Sequence, residues 1–176
     1  MILSGRMASM ASIPEEQYPR STFEPDAEYA NGQVLPRAAG EFDHSDWQLS
    51  IALWFREHAG EWNLRVAPGQ RIRVAAGNYR VPDVAVMDGS VEKEQVLTHP
   101  SLAVFEVLSP ADTVQDLDGK LCDYAAMGIP HIWVVNPKTR RFRRYEDGSL
   151  RPADRFASPE RGIDFAFEEI ARPLQD

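Results

Sequence analysis

The chain has one cysteine, Cys122, in 176 residues, so an internal disulfide is excluded and a reducing, cytoplasmic setting is expected. Long apolar runs are missing: the longest, such as IALWF at 51–55, falls far short of the roughly 18 residues that a membrane helix needs. The first residues, MILSGRMASMASIPEE, have no continuous apolar core, so no signal peptide is expected. Basic charge is scarce. Lys and Arg number 19 against 27 Asp and Glu, a net charge of −8, which argues against a surface that grips nucleic acid everywhere. A local basic groove, or an acidic site offset by metal ions, stays open. There is no Cys cluster for zinc, no glycine-rich phosphate loop and no G-x-S-x-G elbow.

What is present reads as one mixed α/β domain over residues 26–176, preceded by a flexible arm over 1–25. Asn31-Gly32, between short flanks at 28–38, signals a hairpin. Trp47, Ile51, Trp54, Phe55 and His58 repeat at helical spacing and predict a helix over 45–59, capped by Asp43 or Ser45 and ended by Gly60. Alternating Leu64/Val66 and Ile72/Val74 read as strands, and RVPDVAVM at 80–87 as a third. LAVFEVLS at 102–109 and HIWVVN at 131–136 are nearly continuous apolar runs, the pattern of strands covered on both faces. A helix over 113–128 lies between them, with Thr113 as N-cap and Gly128 as stop, so the two strands should be joined by a parallel crossover. RRFRRYED at 141–147 adds a strand. The tail from 150 reads as loop-rich, with FAFEEIA at 165–171 packing back.

Four groupings carry possible chemistry. Asp83 follows Pro82 at the start of a strand, where an acid is usually a turn residue. Glu106 sits inside an apolar strand, sharing a face with Leu102, Val104 and Leu108, and there it must protonate, meet a cation or bind a metal. A buried ion pair with an arginine would explain it without function. Asp116, Lys120 and Tyr124 fall on one helical stripe, either as a surface pair or with Lys120 reaching over the strand to Glu106. Glu41 and His44, at the start of the first helix, and Glu28 are further candidates, though helix capping also accounts for acids there. The basic run Arg141, Arg143 and Arg144 reads as a solvated strand face and as the best local candidate for nucleic-acid phosphates.

GEFDHSDWQ, RVPDVAVM, LAVFEVLSP, the D-x-x-x-K-x-x-x-Y helix and GIPHIWVVNP, in that order, resemble the Uma ("Uma two") family of restriction endonucleases, a branch of the PD-(D/E)XK nuclease superfamily. The resemblance covers about residues 28–170. It implies a restriction-endonuclease-like mixed sheet flanked by helices, with an N-terminal hairpin and a divalent-metal site. It makes Asp83 and Glu106 the catalytic, metal-binding acids, with the Val107 carbonyl as a further ligand to Mg²⁺ or Mn²⁺. The superfamily's lysine usually stands two residues after the second acid, where this chain has Leu108, so the resemblance assigns that role to Lys120. Asn31 stands where many relatives carry Asp. The expected function is metal-dependent hydrolysis of DNA, by a homodimer if both strands of a duplex are cut symmetrically. The alternative is a catalytically silent module of the same fold, acting in nucleic-acid binding or assembly.

Overall fold

Backbone hydrogen bonding sorts the strands into three sheets. The computed structural model describes residues 12–24, 26–37 and 40–171. A short 3-10 helix, Glu15–Arg20, precedes the hairpin of β1 (Ala27–Ala30) and β2 (Gln33–Pro36). Then come helices α1 (Phe42–Glu57) and α2 (Ala59–Trp62), and strands β3 (Leu64–Pro68), β4 (Ile72–Ala75), β5 (Asn78–Arg80), β6 (Val84–Asp88) and β7 (Ala103–Val107). Helix α3 (Val114–Met127) leads to β8 (His131–Asn136), β9 (Arg141–Glu146) and β10 (Ser149–Ala153). Strands β11 (Arg155–Ser158) and β12 (Ile163–Ala166) and helix α4 (Glu168–Ala171) complete the described chain.

The largest sheet runs β10-β9-β8-β7-β6-β3, a smaller one β2-β1-β5-β4, and β11 pairs with β12. Among the paired strands of the described residues, only β7 and β8 run parallel, with α3 as their crossover, as the two apolar runs predict. Alternation along these strands gives the large sheet two apolar faces. One packs against Trp47, Ile51 and Phe55 of α1 and against Phe165, Phe167 and Ile170, so the FAFEEIA segment does pack back. The other packs against Leu121 and Tyr124 of α3 and against Ile72 and Val74 of the smaller sheet. The mixed α/β fold with flanking helices and an N-terminal hairpin is therefore as expected. Among the described residues no helix is long and apolar enough to cross a membrane.

Several local expectations are corrected. The arm is not loose where it is described: Tyr18 is fully buried against Tyr29 and Tyr79, and its hydroxyl donates to the Ala27 carbonyl at 2.5 Å. The hairpin sheet needs that aromatic lid, as one face would otherwise be wet; the rest of the arm, residues 1–11 and 25, lies outside the described residues. Helix α1 begins at Phe42 with no side-chain cap, so neither Asp43 nor Ser45 caps it. Gly60 does not end the helical stretch either, for it lies inside α2, and Asn63 takes the left-handed position at φ 48° instead. The loop-rich tail contains β10, β11 and β12. RVPDVAVM is not one strand. Pro82 has no N–H for a ladder, and at Val81–Asp83 the chain crosses from β5 in the smaller sheet to β6 in the larger.

The helix that begins at Thr113 follows its sequence closely. The Thr113 hydroxyl accepts the Asp116 N–H at 3.1 Å, and Gly128 closes the helix at φ 91°.

Candidate active site

The crossing at Val81–Asp83 places an acid where the two sheets meet. The Val81 N–H donates to Glu28 Oε1 at 3.1 Å, and the Asp83 carbonyl accepts from Gly69 N–H at 3.1 Å and from Gln48 Nε2 at 2.9 Å. Strand β1 brings Glu28, β7 brings Glu106, and α3 brings Lys120 and Tyr124. Antiparallel pairing sets Val84 opposite Phe105, so Asp83 and Glu106, their immediate chain neighbours, fall at the same end of adjacent strands. Asp83, Glu106 and Glu28 retain only 2%, 4% and 4% of their exposure, yet all three line a cleft of about 310 Å³.

Burying three carboxylates together is tolerable only because each has donors. Asp83 Oδ1 receives Arg37 Nη2 at 2.5 Å; Oδ2 receives the Val107 N–H at 2.8 Å and stands 3.2 Å from His44 Nε2. Glu106 accepts the Tyr124 hydroxyl at 2.6 Å on Oε1 and Lys120 Nζ at 3.3 Å on Oε2. Glu28 meets Arg80 Nη1 at 2.9 Å and Lys120 Nζ at 3.2 Å. Arg80 is held from behind by Asp123, 2.7 Å from its Nε.

These surroundings pull the acids apart in acidity. Burial opposes the charged form of Asp83, but His44, Arg37 and the Val107 N–H outweigh it and hold the carboxyl below its ordinary range. Glu106 goes the other way: burial, reinforced by the negative charges of Asp83 and Glu28, pushes it up to about 7. For Lys120, burial favours the neutral amine, yet Glu106 and Glu28 prevail and raise it. Lys120 is thus a fixed cation near neutral pH. The hydrogen bond to Asp83 raises His44 above its ordinary value.

Of the residues singled out from sequence, Asp83, Glu106, Val107, Lys120, His44, Glu28 and Asp116 line this one cleft. Tyr124 lies beneath it on Glu106. Asp116 is at the rim, where it closes the Thr113 cap at 2.6 Å. Glu41 is not brought in; it is exposed and lines a neighbouring cleft with Leu108. Leu108 lines that neighbouring cleft, whereas Lys120 lines the one with Asp83 and Glu106. Arg141, Arg143 and Arg144 stand apart from the site on β9, and strand alternation splits them. Arg141 and Arg143 are exposed on the α3 side, while Arg144 turns to the α1 side over the Trp133 ring at 5.9 Å. Sequence reasoning missed Arg37 and Arg80. Their signal was indirect: buried acids require cations, and both arginines lie within the hairpin and strand segments that carry Glu28 and Asp83.

Among the described residues no group of three or more His, Cys, Asp or Glu side chains is arranged to hold a metal. Arg37 and His44 on Asp83, and Lys120 on Glu106, are the cationic partners of these carboxylates.

The sequence profile Uma2, described as "Putative restriction endonuclease", matches residues 15–169. Among solved structures, a "putative nuclease belonging to DUF820" from Anabaena variabilis superposes with a TM-score of 0.78 at 16% identity, over 93% of this chain and 99% of that one; this likeness is one of fold. A DrdV–DNA complex matches at a TM-score of 0.40 and 17% identity, over 70% of this chain and 10% of that one, too slight a likeness to build on. Among curated proteins, none matches the chain.

Proposed function

Because the chain belongs to the Uma2 family of restriction endonucleases, we propose that it is a metal-dependent endonuclease hydrolysing DNA phosphodiester bonds. The observation that carries the proposal is the pairing of Asp83 with Glu106 at one end of adjacent strands, with a lysine on the second acid. The donor chemistry fits a divalent cation: Asp83, Glu106 and the Val107 carbonyl offer only oxygen, as Mg²⁺ or Mn²⁺ prefers. Glu106, pushed up to about 7 by burial and like charge, is also a carboxyl that a nearby cation would return to its charged form. Such an ion, when bound, supplies an acidified water and neutralises charge on a phosphodiester oxygen.

The remaining work falls to the chain. Water adds to phosphorus and one P–O ester bond breaks, so negative charge grows on the phosphoryl oxygens. Lys120, kept charged by Glu106 and Glu28, suits electrostatic stabilisation of that charge rather than proton abstraction. Tyr124 fixes the Glu106 carboxyl from below, and Gln48 and Gly69 fix the Asp83 backbone.

A second reading, a silent module of the same fold, draws support from the net charge of −8 and from the arginine and lysine already seated on the acids. Incubating the protein with DNA, RNA and a small phosphodiester, with and without EDTA, separates the two. Cleavage that EDTA stops, and that Asp83→Asn and Glu106→Gln abolish, is the expected result. DNA retained without cleavage under any metal condition would favour the silent module.

A further inference from the structure

The buried acids have cationic partners before any metal arrives. Glu28, Asp83 and Glu106 face Arg37, Arg80 and Lys120, with His44 also on Asp83, and Asp112 and Asp116 line the same cleft. A divalent ion brought to Asp83 meets donors on both carboxylate oxygens, and their positive charge opposes it. On Oδ2 the Val107 N–H is part of the backbone and cannot withdraw, and His44 Nε2 stands beside it at 3.2 Å from the first turn of α1. On Oδ1 the occupant is a single side-chain nitrogen, Arg37 Nη2.

The three cations are not equally held. Arg80 is clamped between Glu28 at 2.9 Å and Asp123 at 2.7 Å. Lys120 bridges Glu28 at 3.2 Å and Glu106 at 3.3 Å from the middle of α3. Arg37 follows β2, an edge strand of the smaller sheet, and makes its one close ionic contact with Asp83. A second carboxylate, Asp26, lies 3.7 Å from its Nη1 and is 44% exposed, so the guanidinium can turn outward without losing all negative charge.

We propose that Arg37 has two stations, one on Asp83 in the metal-free protein and one on a substrate phosphate once a divalent ion has taken Asp83. The inference rests on the metal-dependent reading above. A guanidinium and a divalent ion on the same carboxylate oxygen would repel, whereas a phosphate offers two oxygens to the planar fork of the freed guanidinium. Metal and nucleic acid would then bind cooperatively, each favouring the state in which Arg37 has moved.

Calorimetric titration of the full chain with Mn²⁺ alone tests this without reference to cleavage. Arg37→Gln should bind Mn²⁺ about tenfold more tightly than the parent, since the competing cation is gone. Unchanged or weaker binding in Arg37→Gln, with binding lost in Asp83→Asn, would overturn the inference and leave the metal site standing. Binding in Asp83→Asn equal to the parent would remove the metal site and the inference with it. Should Arg37→Gln fail to fold, the unmodified protein supplies a second measurement. Titration with Mg²⁺ should shift the Arg37 Nε–H resonance while that of Arg80 stays fixed; an unmoved Arg37 signal at saturating Mg²⁺ would overturn the proposal.

Discussion

The Tyr124 hydroxyl donates to Glu106 Oε1 at 2.6 Å, and both groups are buried at the heart of the fold. This bond joins the crossover helix to the strand it crosses from, and it steadies Glu106 without adding charge. Tyr124→Phe should lower unfolding stability by about 1–2 kcal/mol in a denaturant titration. It should also raise the Glu106 pKa, because the hydroxyl favours the charged carboxylate. Carboxyl-detected NMR titration would read that shift.

Asp83 and Glu106 should respond to neutralisation in opposite ways. Asp83→Asn strips Arg37 and His44 of their partner and should cost about 3 kcal/mol. Equal melting temperatures for this variant and the parent, in EDTA, would contradict the ion pairing described above.

Glu106→Gln should show a pH-dependent difference instead. A carboxyl raised to about 7 when folded stabilises most at low pH, below its unfolded value, and that contribution is lost as pH rises through about 7. The variant lacks this loss, so its stability relative to the parent should climb between pH 5 and pH 8. The comparison must be a difference, for His131, lowered to about 4 by burial and by Arg144, gives both proteins an opposing slope over part of this range. Paired thermal melts across that interval suffice; a flat difference would mean that Glu106 titrates normally.

Lys120→Ala should abolish DNA cleavage without lowering Mn²⁺ affinity, since Lys120 is placed to act on developing phosphate charge. Single-turnover assays alongside calorimetry separate the two effects. Retained cleavage would confine Lys120 to balancing Glu28 and Glu106.

The arginines of β9 should divide along the two faces of their strand. Arg141→Ala with Arg143→Ala should weaken DNA binding and flatten its salt dependence with little change in stability, if these exposed side chains meet phosphates. Arg144→Ala should lower stability by about 1 kcal/mol, because that guanidinium covers Trp133. Salt-dependent binding isotherms and denaturant midpoints would show whether the split holds.

Much of this was legible in the sequence because local rules were obeyed. Thr113 and Gly128 bound α3, Asn31 at φ 52° and Gly32 at φ 81° make the hairpin turn, and the apolar runs of β7 and β8 signalled a parallel pair. Glu106 stood out as an acid in an apolar strand, and Lys120 and Tyr124 do reach it. What stayed hidden depends on contacts distant in sequence. Arg37 meets Asp83 across 46 residues, and no period or spacing in the chain encodes that meeting. Tyr18 and the division of strands between two sheets were hidden for the same reason, since propensity does not say which edge a strand will join. The division of the β9 arginines between two faces also went unread, because a run of charge taken linearly ignores the alternation of a strand.

The crossing at Val81–Asp83 also bears on the order of assembly. Its contacts span long stretches of chain, 53 residues from Glu28 to Val81 and 24 from Asp83 to Val107. Pairing of β1 with β5 and of β6 with β7 closes the same stretches of chain, so the ion pairs of the cleft cost little further closure entropy and should form after the sheets. Substitutions at Glu28, Arg37 or Asp83 should then speed unfolding while leaving the folding rate nearly unchanged, a pattern that chevron kinetics would display. The ion cluster would act as a latch on the finished protein, setting how long the two sheets stay together rather than how fast they meet.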